Sequence, residues 1–110
     1  MNEVLVKLYV PMVDEQYDIW IPLDKKIHTI IKLLVKSVNE FTKGYYIPSK
    51  MPYLYDKITA KAFDINLKLI ETEIRNGTEL IMIWERKNGK RDTPWEGKRG
   101  RDKGDVAKNP

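Results

Sequence analysis

From Glu3 to Val10 apolar positions recur at every second residue. Val4, Val6, Leu8 and Val10 fall on one face, and Leu5, Lys7 and Tyr9 on the other. A period of two is that of a half-buried strand, with the even positions turned to the core. Pro11 to Glu15 interrupts the alternation with turn-prone residues, after which Tyr17, Ile19 and Ile21 alternate with Gln16, Asp18 and Trp20. The two segments predict an N-terminal hairpin whose second strand closes at Pro22.

The period then changes. Ile27, Ile30, Ile31, Leu34, Val38 and Phe41 recur at steps of three and four, with Lys25, Lys32, Lys36 and Glu40 on other faces, as in an amphipathic helix. Asp24 can accept hydrogen bonds from the free amides of the first turn, so the helix is predicted to start at about Lys25. Gly44 is a suitable terminator. Lys43 to Pro52, with Gly44, Pro48 and Pro52, is a connecting loop, and Tyr45, Tyr46 and Ile47 are its unexpectedly apolar part.

Tyr53–Asp56 and Ala60–Asp64 are short strand candidates, and the spacing of Leu67, Leu69, Ile70 and Ile74 suits a single irregular or helical turn; one long helix over Ile58–Glu73 is the competing reading. Asn76-Gly77 supplies a positive-φ turn before the apolar run Thr78–Trp84, which has the character of a central strand. The order strand, strand, helix, strand, short strand, turn, strand describes an α+β chain with a mixed sheet packed on one long helix.

Charge divides the chain. Residues 1–84 hold 11 Lys/Arg and 11 Asp/Glu, so the net +4 of the 110 residues belongs to the C-terminal remainder. That remainder has almost nothing to bury, and ordering it would cost about 1–2 kcal/mol per residue in backbone entropy. The expected organisation is one domain over 1–85 and a disordered basic tail over 86–110. There is no cysteine, which excludes disulfides and thiolate metal sites, and the first residues lack the basic start and apolar run of a signal peptide. No window approaches the roughly 18 consecutive apolar residues of a membrane span. A cytoplasmic protein is expected, with any membrane association arising through a partner or the tail.

Catalysis finds little to work with. The single His28 lies early in the helix without a neighbouring histidine or cysteine, and reads as a solvated or partly covered helix residue. Glu71, Glu73 and Glu79 are spaced like the polar face of ordinary structure rather than a converging acid/base pair. No enzyme activity, cofactor or metal is expected.

The stretch Leu69–Ile83, an apolar turn, a glycine turn and a closing strand, reads as the last third of a ubiquitin-like β-grasp. Together with Val4–Val10, the helix from Asp24, Lys61-Ala62-Phe63 and then Leu69, Ile74, Gly77, Leu80 and Met82, it resembles the small ubiquitin-like proteins called YukD or EsaB, accessory components of the type VII secretion systems of Gram-positive bacteria. The resemblance covers about the first 84 residues. It implies a noncatalytic adaptor or regulatory partner beside a membrane-embedded secretion machine. Two departures are Glu73, where such proteins often carry glycine before the isoleucine, and the long tail. The chain ends Val-Ala-Lys-Asn-Pro110 with no Gly-Gly pair, so conjugation through an activated diglycine is not expected.

On a β-grasp the sheet face away from the helix is open, and the phase of the strands puts Leu5, Lys7, Tyr9, Asp18, Trp20, Ile81 and Ile83 there. These residues are expected to form one apolar protein-binding patch, in which charges do not dominate. A contiguous exposed apolar patch rarely lacks a partner; the loop at Tyr45-Tyr46-Ile47, Trp95 of the tail or a dimer mate are the other ways to cover it. The alternative function is a ubiquitin-like module whose tail contacts nucleic acid or an anionic membrane surface through Lys87, Lys90, Arg91, Lys98, Arg99, Arg101 and Lys103, with Trp95 stacking. Asp92, Glu96, Asp102 and Asp105 dilute that positive field, which favours a solubilising or partner-binding segment over a nucleic-acid arm.

Overall fold

The computed structural model describes residues 2–84. Strand β1 (Glu3–Val10) turns back at residues 11–14 into β2 (Glu15–Pro22); helix α1 (Ile27–Phe41), β3 (Tyr53–Asp56), a 3-10 turn at Leu69–Glu71 and β4 (Glu79–Ile83) follow. The sheet order is β2-β1-β4-β3. β2 and β3 are antiparallel to their neighbours, and β1 and β4 run parallel. The apolar run at residues 78–84 is therefore central, as its composition requires.

The alternation in β1 holds residue by residue. Val4, Val6, Leu8 and Val10 are buried against Ile27, Ile30, Ile31, Leu34 and Val38 of the helix, with Ile19 and Ile21 from β2 and Leu80 and Met82 from β4. Phe41, expected on the same helix face, is half exposed; its ring stacks on Tyr17 at 5.0 Å at the rim of the core. The helix stop is a two-residue one. The Gly44 N–H donates to the Asn39 carbonyl and the Lys43 N–H to that of Glu40, with positive φ at both Lys43 and Gly44.

Three local expectations are corrected. The helix begins at Ile27, and Asp24 does not cap it. The Leu67 carbonyl accepts from the Ile27 N–H at 2.8 Å and the Ile65 carbonyl from the His28 N–H at 3.0 Å, so main-chain groups distant in sequence satisfy the first amides. Ala60–Asp64 is not a strand but a return loop joined to β3 by a single bridge, Tyr55 to Ala62. Its turn is set by the Asp56 carboxylate, which accepts from the Ile58 and Thr59 N–H groups and consumes the residues a longer strand would need. The long-helix alternative over residues 58–73 is likewise absent; its apolar residues divide between the return loop and the 3-10 turn, where Leu69 is buried.

Gly77, at φ +88°, makes the turn into β4, and its N–H donates to the Leu5 carbonyl while the Asn76 side chain accepts from the Leu5 N–H. Glu73 sits at ordinary φ, so this backbone does not require glycine there. The expected boundary at residue 85 and the tail, with Arg91, Trp95, Arg99 and Arg101, lie outside the described residues.

Candidate functional site

Strand register builds the helix-free face in rows. Trp20 and Leu5 are cross-strand partners, as are Asp18 and Lys7, and Gln16 and Tyr9. Lys7 stands beside Glu79 and Tyr9 beside Ile81, and β3 adds Tyr55 beside Ile81 and Tyr53 beside Ile83. The Lys57 N–H donates to the Glu79 carbonyl, extending the middle row. Across the sheet that row reads Asp18, Lys7, Glu79, Lys57, alternating in sign.

The expected single apolar patch is thus two. The row of charges runs between Leu5 with Trp20 on one side and Tyr9 with Ile81 and Ile83 on the other. Its ion pairs, Lys7 to Asp18 at 4.0 Å and Lys57 to Glu79 at 3.9 Å, are solvent-exposed. Such pairs contribute about 0–1 kcal/mol each, so their main effect is to divide the apolar surface. Ile81 and Ile83 are also far less open than expected, at 7% and 5% exposure. They lie on the central strand with tyrosines in register beside them, Tyr9 and Tyr55 flanking Ile81 and Tyr53 beside Ile83. Trp20 is 54% exposed, Leu5 and Tyr9 are half-buried and Lys7 is exposed.

Two hollows result. One, of about 250 Å³, is lined by Leu5, Lys7, Asp18, Trp20, Asn76 and Gly77. The other, of about 390 Å³, has Ile81 and Ile83 with Tyr9, Tyr55, Asp56, Lys57 and Ala60 around it. Each hollow sets apolar side chains beside charged ones. Tyr55 and Lys57 were not among the expected site residues. The alternation of Tyr53 and Tyr55 was the available signal, but it names a face only once β3 is registered on β4.

The Tyr9 hydroxyl donates to Asp14 at 2.8 Å. Burial first, then that hydrogen bond and the carboxylate's charge, raise the Tyr9 phenol above the usual tyrosine range; burial and then Glu15 do the same for Tyr17. Asp14 is itself held at positive φ, which fixes the hairpin tip beside the hollow.

The acidic residues do not converge. The Glu71 carboxylate accepts from the Lys68 N–H, Glu79 faces Lys57, and Glu73 is exposed. Among the described residues no group of three histidine, cysteine or acidic side chains could hold a metal ion, and no helix is long and apolar enough to cross a membrane. His28 is exposed.

No known family profile matches the chain, and no curated protein matches it in sequence. Solved structures do match in fold. The EccD5 ubiquitin-like domain from Mycobacterium xenopi aligns with a TM-score of 0.62 at 20% identity, over 74% of this chain and 93% of that one. The ubiquitin-like domain of the Mycobacterium tuberculosis type VII secretion protein ECCD1 aligns with a TM-score of 0.60 at 12% identity, over 74% and 98%. A chain of the MycP5-free ESX-5 inner membrane complex aligns with a TM-score of 0.62 at 14% identity, but over only 21% of its own length. The described residues form a ubiquitin-like β-grasp fold.

Proposed function

We propose that this chain is a noncatalytic ubiquitin-like adaptor that binds a protein component of a type VII secretion machine, in the manner of the YukD or EsaB proteins it resembles. The observation that carries the reading is the alignment over nearly the full length of two separate EccD ubiquitin-like domains. It is supported by a helix-free face with two hollows and an exposed tryptophan. In this reading the domain over 1–85 docks through Trp20 and Leu5 on one side of the charge row and through the Tyr9, Ile81 and Ile83 hollow on the other. It works in the cytoplasm, at the membrane through its partner, and the tail over 86–110 is an accessory segment.

The test is affinity capture from the native host in gentle detergent, comparing the full chain, a chain ending at Glu85 and the full chain carrying Trp20→Ser with Tyr55→Ser. Both altered positions are at least partly exposed, so the variant keeps its core. Secretion-system membrane components should come down with the first two and fall away with the third. Recovery of nucleic-acid-associated proteins instead, only with the tail present and lost after nuclease, would replace this reading with that of a nucleic-acid-binding tail.

A further inference from the structure

The loop between α1 and β3 is built to hold large apolar side chains in solvent. Tyr46 is its buried peg. The Tyr46 N–H donates to the Thr42 hydroxyl at 3.0 Å, the Asn39 side chain donates to the Tyr46 carbonyl at 2.9 Å, and the ring meets Trp84 edge-on at 5.7 Å. With Tyr46 fixed, its neighbours Tyr45 and Ile47 stand outward at 75% and 71% exposure, and Met51 is exposed further along the loop. Ile58 is as open at 77%, but it stands alone, whereas Tyr45, Ile47 and Met51 fall within seven residues of one loop.

Charge says what would cover them. Between Glu40 and Asp56 the chain has no acidic residue, and Lys43 and Lys50 are both exposed in the loop. Exposed Glu40 adjoins the loop at its helix end, but within residues 41–55 tyrosine, isoleucine and methionine stand among lysines alone, which matches the boundary between anionic headgroups and acyl chains, where aromatic rings settle and lysines meet phosphate. A nucleic acid would call for a longer run of cations than the two lysines of the loop. The chain also leaves β4 at Trp84, against Tyr46, and continues into residues 85–110, which hold nine Lys/Arg and five Asp/Glu.

We propose that residues 43–51 form an anionic-lipid-binding loop, in which Tyr45 and Ile47 enter the headgroup boundary and Lys43 and Lys50 contact lipid phosphates. None of the residues lining the two hollows of the helix-free face belongs to this loop.

The experiment uses the full-length chain and lipid vesicles with no other protein present, so its result is independent of the adaptor reading. Vesicles of phosphatidylcholine alone are compared with vesicles containing 3 parts in 10 (roughly) phosphatidylglycerol, by cosedimentation. Binding is expected to the anionic vesicles only. Lys50→Glu should weaken it about fivefold or more, and Tyr45→Ser with Ile47→Ser about tenfold or more, with an unchanged melting temperature because both side chains are exposed. Since the chain has no cysteine, Ser49→Cys carries a single environment-sensitive dye in the loop, whose emission should shift to the blue on anionic vesicles. Absence of vesicle binding, binding undiminished in the double variant, or binding with no change in the dye would each overturn the proposal. The last two would leave the tail alone on the lipid. Capture of a protein partner that depends on Tyr45 and Ile47, without vesicle binding, would overturn it in favour of a protein pocket.

Discussion

The Lys57 ammonium stands 5.2 Å from the centre of the Tyr9 ring, while the same nitrogen lies 3.9 Å from a Glu79 carboxylate oxygen. One lysine thus joins the charge row to the larger hollow. A cation over a half-buried ring contributes about 0.5–2 kcal/mol. A double-mutant cycle of Lys57→Met and Tyr9→Leu, read by urea unfolding, should give a coupling energy of about that size, since the methionine keeps the stem and removes the charge. Strict additivity would mean that the ring and the ammonium do not interact.

The Tyr9 hydroxyl to Asp14 contact sets a second expectation. A phenol raised above its unfolded value gives stability that is fully present below about pH 10 and is lost as pH rises through the folded value. Tyr9 and Tyr17 are both raised, so alkaline unfolding should begin as the unfolded-state tyrosines ionise. Asp14→Asn removes the carboxylate's charge, and should move the Tyr9 titration down while leaving that of Tyr17 in place. Carbon-13 NMR of ring-labelled tyrosine would follow each phenol. A Tyr9 curve identical in the variant would show that the carboxylate's charge adds nothing to the shift.

Buried and exposed positions of the helix separate sharply. Leu34 is fully buried beneath the sheet, whereas the adjacent Leu33 is exposed. Leu34→Ala should cost about 2–5 kcal/mol, through lost transfer energy and the cavity left behind, with an unchanged dependence on urea. Leu33→Ala should lie within about 0.5 kcal/mol of the parent. Equal losses at the two sites would place the helix in a different rotation on the sheet.

That rotation was readable in advance because periods of two and 3.6 are written in single residues: every buried residue of α1 belongs to the stripe Ile27, Ile30, Ile31, Leu34, Val38. The N-cap was not readable. Carbonyls at Ile65 and Leu67 belong to any residue type, so no side chain marks them as caps for amides about 40 positions earlier. The division of the helix-free face was missed for a related reason. Strand phase puts Lys7 and Asp18 on it, yet their row becomes a barrier only through Glu79 and Lys57, whose places depend on the register of β4 against β1 and on the turn after β3. Tyr46 reads in sequence as one of three loop apolar residues; its backbone bonds to Thr42 and Asn39 and its contact with Trp84 distinguish the peg from the two that project.

The end of the helix contains a correctable strain. Lys43 occupies positive φ at +56°, where an L side chain costs about 1–2 kcal/mol, and Gly44 at +90° follows it. Lys43→Gly removes the penalty but adds freedom to the unfolded chain worth about 0.4–1 kcal/mol. Central values of about 1.5 and about 0.7 kcal/mol leave a net gain of about 0.8 kcal/mol, or a rise of about 3–6 °C in Tm for a domain of this size. Gly44→Ala should do the opposite. No atom lies within 4 Å of the added methyl, so any loss there is conformational rather than steric. A lower Tm for Lys43→Gly would mean that the lysine side chain makes a contribution larger than its backbone penalty.

Thr42 carries the attachment of the loop to the helix. Its hydroxyl donates to the Val38 carbonyl at 2.9 Å and accepts from the Tyr46 N–H at 3.0 Å, a relay that links the last helical turn to the peg. Thr42→Val keeps the shape and removes the oxygen. The Tyr46 N–H is left without its acceptor in a part-buried site, at a cost of about 1–3 kcal/mol. Because the lost bond is local, hydrogen exchange should speed up first at the Tyr46 amide, while Leu8 and Leu80 in the central strands keep global protection. Uniform acceleration at all three amides would mean that the loop opens only with the whole domain. Acceleration at Tyr46 alone would identify the relay as what holds Tyr45 and Ile47 in their outward positions.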